Sequence, residues 1–213
     1  MNTLRTRRAA IALAAAAVLP LALTACSGTD TKDSASDTAK KSSSKASPSE
    51  DMSSKSKPFG PGCASVPKDG AGSFDGMAKD PVATAASNNP ALSTLVTAVK
   101  KAGLVDTLNN AENVTVFAPT NDAFAKIPKA DLDKVLNDKA QLTKILTYHV
   151  VGQKLEPKDL EKGSFETLEK SKLTTSGSGE SYKVNDSANV VCGNVKTANA
   201  NVYLIDTVLM PKS

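Results

Sequence analysis

The chain contains one histidine, His149, and three cysteines, Cys26, Cys63 and Cys192, with no tryptophan. A single imidazole cannot form a two-histidine metal site, and neither C-x-x-C nor H-E-x-x-H spacing occurs. Gly177-Ser178-Gly179-Glu180 has glycines of the kind found at a nucleophile turn but lacks the order G-x-S-x-G, and its flanks read as a polar hairpin loop. No phosphate-cradling G-x-x-x-x-G-K-[ST] is present. A glycosidase pair needs two carboxyls converging at ~5–9 Å, which order along a chain does not establish. The expectation is a non-enzyme with no catalytic residue, no metal and no cofactor.

The chemistry that the cysteines do offer is covalent attachment. Arg5, Arg7 and Arg8 precede an apolar, Ala-rich stretch from Ala9 to Ala25, too short for a confident membrane span and built like a secretory leader. It ends in Leu23-Thr24-Ala25-Cys26, which matches a bacterial lipobox. Cys26 is therefore the expected lipidation site, with residues 1–25 removed as a signal peptide. Arg7-Arg8 raises twin-arginine export, but Ala10 and Ile11 follow without a bulky aromatic, which favours the general secretory route. In an oxidising compartment the two remaining thiols, Cys63 and Cys192, are expected to pair.

Charge narrows the partners. The formal +4 includes three arginines, all of them in the leader, so the mature chain is close to neutral and carries no guanidinium. It lacks the usual means for polyanion or bidentate phosphate recognition, and nucleic-acid binding is not expected. Residues 26–62 hold the lipidated cysteine and then a Ser-, Lys- and Asp-rich stretch with few large apolar side chains. That composition reads as a disordered tether, reaching roughly 30–35 Å as a flexible coil.

Residues 63–213 suit one core. Their first half patterns as helix: Pro81 to Asn88, then Leu92, Leu95, Val96 and Val99 on one face before Gly103, then Leu104, Val105 and Leu108. A strand over 114–118 stops at Pro119, and Thr120 is placed to cap a helix beginning Asn121-Asp122-Ala123-Phe124. Leu132, Val135 and Leu136, then Leu142, Ile145 and Leu146, keep helical spacing up to Tyr148-His149-Val150-Val151, which reads as strand. Later runs at 165–168, 172–175, 182–184, 190–195 and 202–205 are short strands between turn residues. Helices first and strands later predict an α+β fold.

Thr115-Val116-Phe117-Ala118-Pro119-Thr120-Asn121-Asp122-Ala123-Phe124 resembles the first signature segment of the fasciclin domain. Tyr148-His149 stands where that family has its Tyr-His pair, and Val202 to Pro211 resembles its closing segment. Gly60-Pro61-Gly62-Cys63, Val190-Val191-Cys192-Gly193 and Val202-Tyr203-Leu204-Ile205-Asp206 are also similar to secreted and lipid-anchored mycobacterial fasciclin antigens. The resemblance implies a single fasciclin-type domain, a wedge-like β-sandwich with packed helices. It makes Thr120, Asn121, Asp122 and Asp206 structural signature residues, with Asp206 a buried acceptor that caps or cross-links backbone. Many members have His where this chain has Tyr203.

The Tyr148-His149 pair leaves two readings open. The resemblance links it to integrin contact in animal matrix members, which makes Tyr148 and His149 candidate partner contacts. The residues themselves favour a buried, hydrogen-bonded His149, with Tyr148 on the opposite face of a strand. The expected function is a non-catalytic surface lipoprotein on the outer face of the cytoplasmic membrane, or released from it. Its partners would be the membrane, through the lipid, and an adhesion receptor, matrix or envelope protein. The alternatives are an envelope carrier of a small apolar ligand or lipid, and a passive envelope protein touching polysaccharide, for which aromatic stacking platforms are scarce.

Overall fold

The structure, a computed structural model, describes residues 57–211, so the leader and Cys26 lie outside the described residues. Helices come first. Short α1 (Phe74–Met77) and α2 (Val82–Ser87) lead into α3 (Ser93–Ala102), which Gly103 ends in the left-handed region at φ 73°. Helix α4 (Val105–Asn110) precedes the first strand, β1 (Val114–Pro119), after which come α5 (Asn121–Ala125), α6 (Lys129–Asn137) and α7 (Lys139–Tyr148). The rest is β: β2 (Val150–Val151), β3 (Lys162–Glu166), β4 (Lys172–Ser178), β5 (Ser181–Val184), β6 (Ala188–Lys196) and β7 (Ala200–Ile205).

The strands form one seven-stranded sheet in the order β2-β1-β7-β6-β5-β4-β3. Only β1 and β7 pair in parallel, Val114 opposite Ala200 through Pro119 opposite Ile205, and every residue of both strands is buried. Strands covered on both faces read as near-continuous apolar runs, as these do. The sheet curls until its ends meet. Val151 bridges Thr167 just past β3, and the Leu168 amide donates to the Val150 carbonyl at 2.8 Å. Near-closure leaves little open edge for another chain to extend.

Curling divides the interior in two. Val114, Val116 and Ala118 on β1, with Val202 and Leu204 on β7, face the helices together with Leu92, Leu95 and Val99. Phe117, Tyr203 and Ile205 point the other way and meet Leu173, Tyr182 and Val184 from β4 and β5 inside the sheet. The strand period of two thus feeds two cores from the same residues' neighbours. The two halves of the sheet face each other across this second core, which is the sandwich expected, here made by one curved sheet.

Cys63 and Cys192 form a disulfide with their Cα atoms 4.8 Å apart, joining an N-terminal strap to β6. The fold begins before Cys63. Phe59 exchanges backbone hydrogen bonds with Gly193, and its ring meets Tyr182 edge-on at 5.5 Å between centroids. Residues 57–62 therefore belong to the domain and not to the tether. One aromatic in a polar stretch is too weak a compositional signal to place that boundary.

Candidate functional site

Tyr148 and His149 do not form a strand. Asp138 caps helix α7, its carboxylate accepting from the Ala140 and Gln141 amides at 3.0 Å. Leu142, Ile145 and Leu146 bury one face, and the helix runs on through Tyr148. His149 is its C-cap, in right-handed helical conformation, and only Val150-Val151 pair as strand. Tyr148 and His149 still diverge, because adjacent positions on a helix point about 100° apart. Tyr148 enters the core inside the sheet, while His149 lies between α7 and the chain after β7.

Both residues are 2% exposed. The Tyr148 hydroxyl donates to the Lys172 carbonyl at 3.1 Å and accepts from Asn185 Nδ2 at 2.8 Å. His149 Nδ1 lies 2.8 Å from the Ile145 carbonyl, and the Leu209 amide donates to Nε2 at 2.9 Å. A carbonyl on one side and an N–H on the other fix the neutral tautomer with its proton on Nδ1. Burial pushes the imidazole pKa down to about 4, against a smaller upward pull from the Ile145 carbonyl. Neither residue offers a surface in this state, so as candidate partner contacts they are corrected to scaffold. With both ring nitrogens engaged, His149 has no free lone pair for a substrate proton.

The first signature segment works as a junction. Thr120 caps α5, accepting from the Ala123 amide at 3.4 Å, and its own amide donates to the Ile205 carbonyl at 3.1 Å. Asn121 reaches across to α3, whose own N-cap residue, Leu92, has no side-chain hydrogen bond. Asn121 Oδ1 accepts from the Thr94 amide at 3.0 Å and from the Ser93 hydroxyl, and Nδ2 donates to the Pro90 carbonyl at 2.9 Å. Asp122 sits exposed in the first turn of α5, where a carboxylate favours the positive end of the helix.

Asp206 ties β6 to β7. It accepts from the Asn189 amide at 2.8 Å, from Asn189 Nδ2 at 3.0 Å, from Lys126 at 3.1 Å and from Thr207. Desolvation works to raise its pKa, but the hydrogen bonds from Asn189, Lys126 and Thr207 outweigh it and hold the pKa at about 2. Its cross-linking role stands; its depth is corrected, since the side chain is 25% exposed. Tyr203 is fully buried, stacks on Phe117 and donates to the Leu155 carbonyl at 3.0 Å.

Several anchoring side chains were not singled out from sequence. Asn199 accepts from the Val82 amide and donates to the carbonyls of Leu108 and Ala111, while Asn109 accepts from the Ala83 amide, so two remote asparagines cap α2. Asn185, at φ 51°, holds the β5–β6 turn and reaches Tyr148. The signal available was an asparagine at each helix or strand end; its partners are distant and could not be read from it.

Three spaces matter for ligands. Narrow apolar spaces of about 50 Å³, between the helices and the sheet, and about 40 Å³, beneath α6, flank His149 on its two sides. A larger surface cleft of about 340 Å³ has a mixed lining, with Asn121 and Asp122 on α5, Lys126 and Asp206 beside the apolar Ala91 and Val191. Among the described residues no group of three or more His, Cys, Asp or Glu could hold a metal ion.

The fasciclin-domain model matches residues 90–211. The immunogenic protein MPB70 of Mycobacterium bovis is 49% identical over 160 residues, covering 71% of this chain and 81% of that protein. The cell surface glycolipoprotein MPB83 of the same organism is 50% identical over 161 residues, 72% of each chain. Protein sll1483 of Synechocystis is 41% identical over 128 residues, covering 59% of this chain and 71% of that protein. A solved FAS1 domain pair from the insect cell adhesion molecule fasciclin I superposes with a TM-score of 0.52 at 21% identity. That likeness covers 64% of this chain and about half of the solved one, 52%, and bears on the fold alone. The chain belongs to the fasciclin-domain family.

Proposed function

We propose that this protein is an exported, lipid-anchored surface protein that presents one fasciclin domain to a protein partner at the cell envelope or in the surrounding matrix. The observation that carries the reading is how the signature residues are used. Thr120, Asn121, Tyr148, His149 and Asp206 are all engaged in backbone anchoring, so the motif holds a scaffold together and recognition falls to the surface. Similarity to a protein named a cell surface glycolipoprotein supports the location, and the leader ending in Leu23-Thr24-Ala25-Cys26 supports a lipid anchor. The surface cleft beside Asp122 and Lys126 is the proposed contact surface, because it adjoins rigid elements and mixes charged and apolar groups.

A carrier of an apolar ligand needs roughly 300 Å³ or more of apolar space. The apolar cavities of about 50 and 40 Å³ fall well short, so that alternative loses its support. The test is capture with the exported protein from envelope and matrix fractions. A saturable protein partner whose binding weakens in Asp122→Ala or Lys126→Ala is expected. Recovery of a stoichiometric lipid or other apolar molecule with no protein partner would reverse the ranking. The anchor has its own test. Cys26→Ala should lose the lipid mass and leave the membrane fraction, and unchanged partitioning would remove the anchor from the proposal. Stable attachment needs more than one acyl chain.

A further inference from the structure

The chain after β7 is held by few polar contacts. Asp206 makes the hydrogen bonds already described, and Thr207 donates only to Asp206. Among the described residues from Val208 onwards, the sole hydrogen bond is the Leu209 amide to His149 Nε2. Around that bond the segment alternates. Leu209 is buried against the core inside the sheet, whereas Val208 and Met210 line the apolar groove under α6 with Ile127, Leu132 and Leu136. Helix α6 itself has no fully buried residue.

We propose that His149 is a proton-operated latch: a proton taken up at Nε2 displaces the Leu209 amide, and the segment from Thr207 onwards leaves the domain and uncovers the groove between α5, α6 and α7. The proton comes from solvent and fills the lone pair that accepted the amide. Nδ1 keeps its proton and its bond to Ile145, so α7 stays capped. The two N–H groups then face each other with no acceptor between them. The imidazolium is also a cation in an apolar setting, and opening the segment admits the water that solvates it.

Among the described residues, the surroundings supply no countercharge that would hold the cation in place. Residues of α2, α3 and α4 and of β1, β6 and β7 that line the cavity on one side of the ring are all uncharged. On the other side α5, α7 and the C-terminal segment contribute only uncharged groups, and α6 contributes Asp131, which is exposed and pairs with Lys134. On α7, Lys144 points outward to Glu169. The depressed imidazole pKa, about 4, fits this setting.

The test is hydrogen exchange on the full exported chain, with the disulfide intact, from pH 6.5 to below pH 4, with protection corrected for intrinsic rates. Protection of the Leu209 amide should fall roughly tenfold or more while β1 and β7 remain protected, the signature of a local opening. Undiminished protection of that amide would overturn the latch. So would simultaneous loss across that amide, β1 and β7, because that is unfolding. His149→Gln keeps a side-chain acceptor and cannot titrate, so its segment should stay closed in acid; acid opening equal to the parent's would also overturn it. Should that variant fail to fold, the parent decides. The imidazole nitrogen shift and Leu209 exchange must then titrate together, and separate midpoints refute the coupling.

Discussion

At Asn121 one amide side chain closes the start of a helix it does not belong to, accepting from Thr94 and Ser93 and donating to Pro90. Removing it strands the first turn of α3, so Asn121→Ala should lower stability by about 1–2 kcal/mol, read by chemical denaturation. Its neighbour Asp122 has no side-chain hydrogen bond or ion pair among the described residues, and Asp122→Ala should stay within about 0.5 kcal/mol of the parent. His149 gives stability a pH dependence whose sign follows from its lowered pKa. An unfolded imidazole binds a proton below its ordinary 6.5, and the folded one only near 4. Between those values the unfolded state holds more protons, so stability falls as pH drops from 6.5 towards 4, by about 3 kcal/mol. In His149→Ala that step should vanish, together with about 2–4 kcal/mol of stability at neutral pH from the cavity and the unsatisfied Leu209 amide. A step that persists in the variant would assign the titration elsewhere. Thr120 was legible as a cap because capping is local, whereas the target of Asn121 lies 27 residues away in sequence and was not.

The elements with a strong local period were legible, and those defined by their ends were not. Leu95 and Val99, or Val202 and Leu204, announce a helix and a strand by spacing alone. Tyr148-His149-Val150-Val151 is rich in strand-favouring types, yet α7 continues through Tyr148, since burying it beside Asn185 and Lys172 outweighs a weak local preference. Helix α1 has four residues, one of them Gly76, too few to show a helical period. The closure of the sheet at Val151 and Thr167 depends on two segments that meet only in the folded chain. The β4–β5 hairpin carries a prediction at this scale. Gly177 has φ +145°, and a Cβ there would lie 2.1 Å from the Ser181 carbonyl oxygen. Gly177→Ala must therefore shift backbone on both strands. A loss of about 1–3 kcal/mol is expected, with the pairing of Ser176 to Lys183 disturbed in amide exchange; a parent-like melt would mean the hairpin adjusts freely.

Across the whole molecule the disulfide decides how the strap meets the sheet. Cys192 is fully buried in β6, a strand paired with both β5 and β7, while Cys63 is partly exposed. The bridge spans 129 residues of sequence, and closing a loop of that length in the unfolded chain contributes about 5 kcal/mol at most. It also sets a route for load. If the protein is anchored through Cys26, a pull on the tether first meets the backbone pairing of Phe59 with Gly193 and then Cys63, so it enters the domain at β6. Reduction should therefore act in two places at once. Global stability should fall by several kcal/mol, and the strap should loosen first, because it is then held by the pairing of Phe59 with Gly193, its ring contacts with Tyr182 and Tyr203, and the Asn194 bond to the Lys57 carbonyl. In Cys63→Ala/Cys192→Ala, the Phe59 and Gly193 amides should exchange faster at neutral pH than in the parent, with Val116 and Val202 still protected. Peptide mapping of the parent without reductant should recover the two cysteines linked. Strap amides that exchange no faster in the double variant would show that these non-covalent contacts alone hold the strap, and the load path through sulfur would lose its basis.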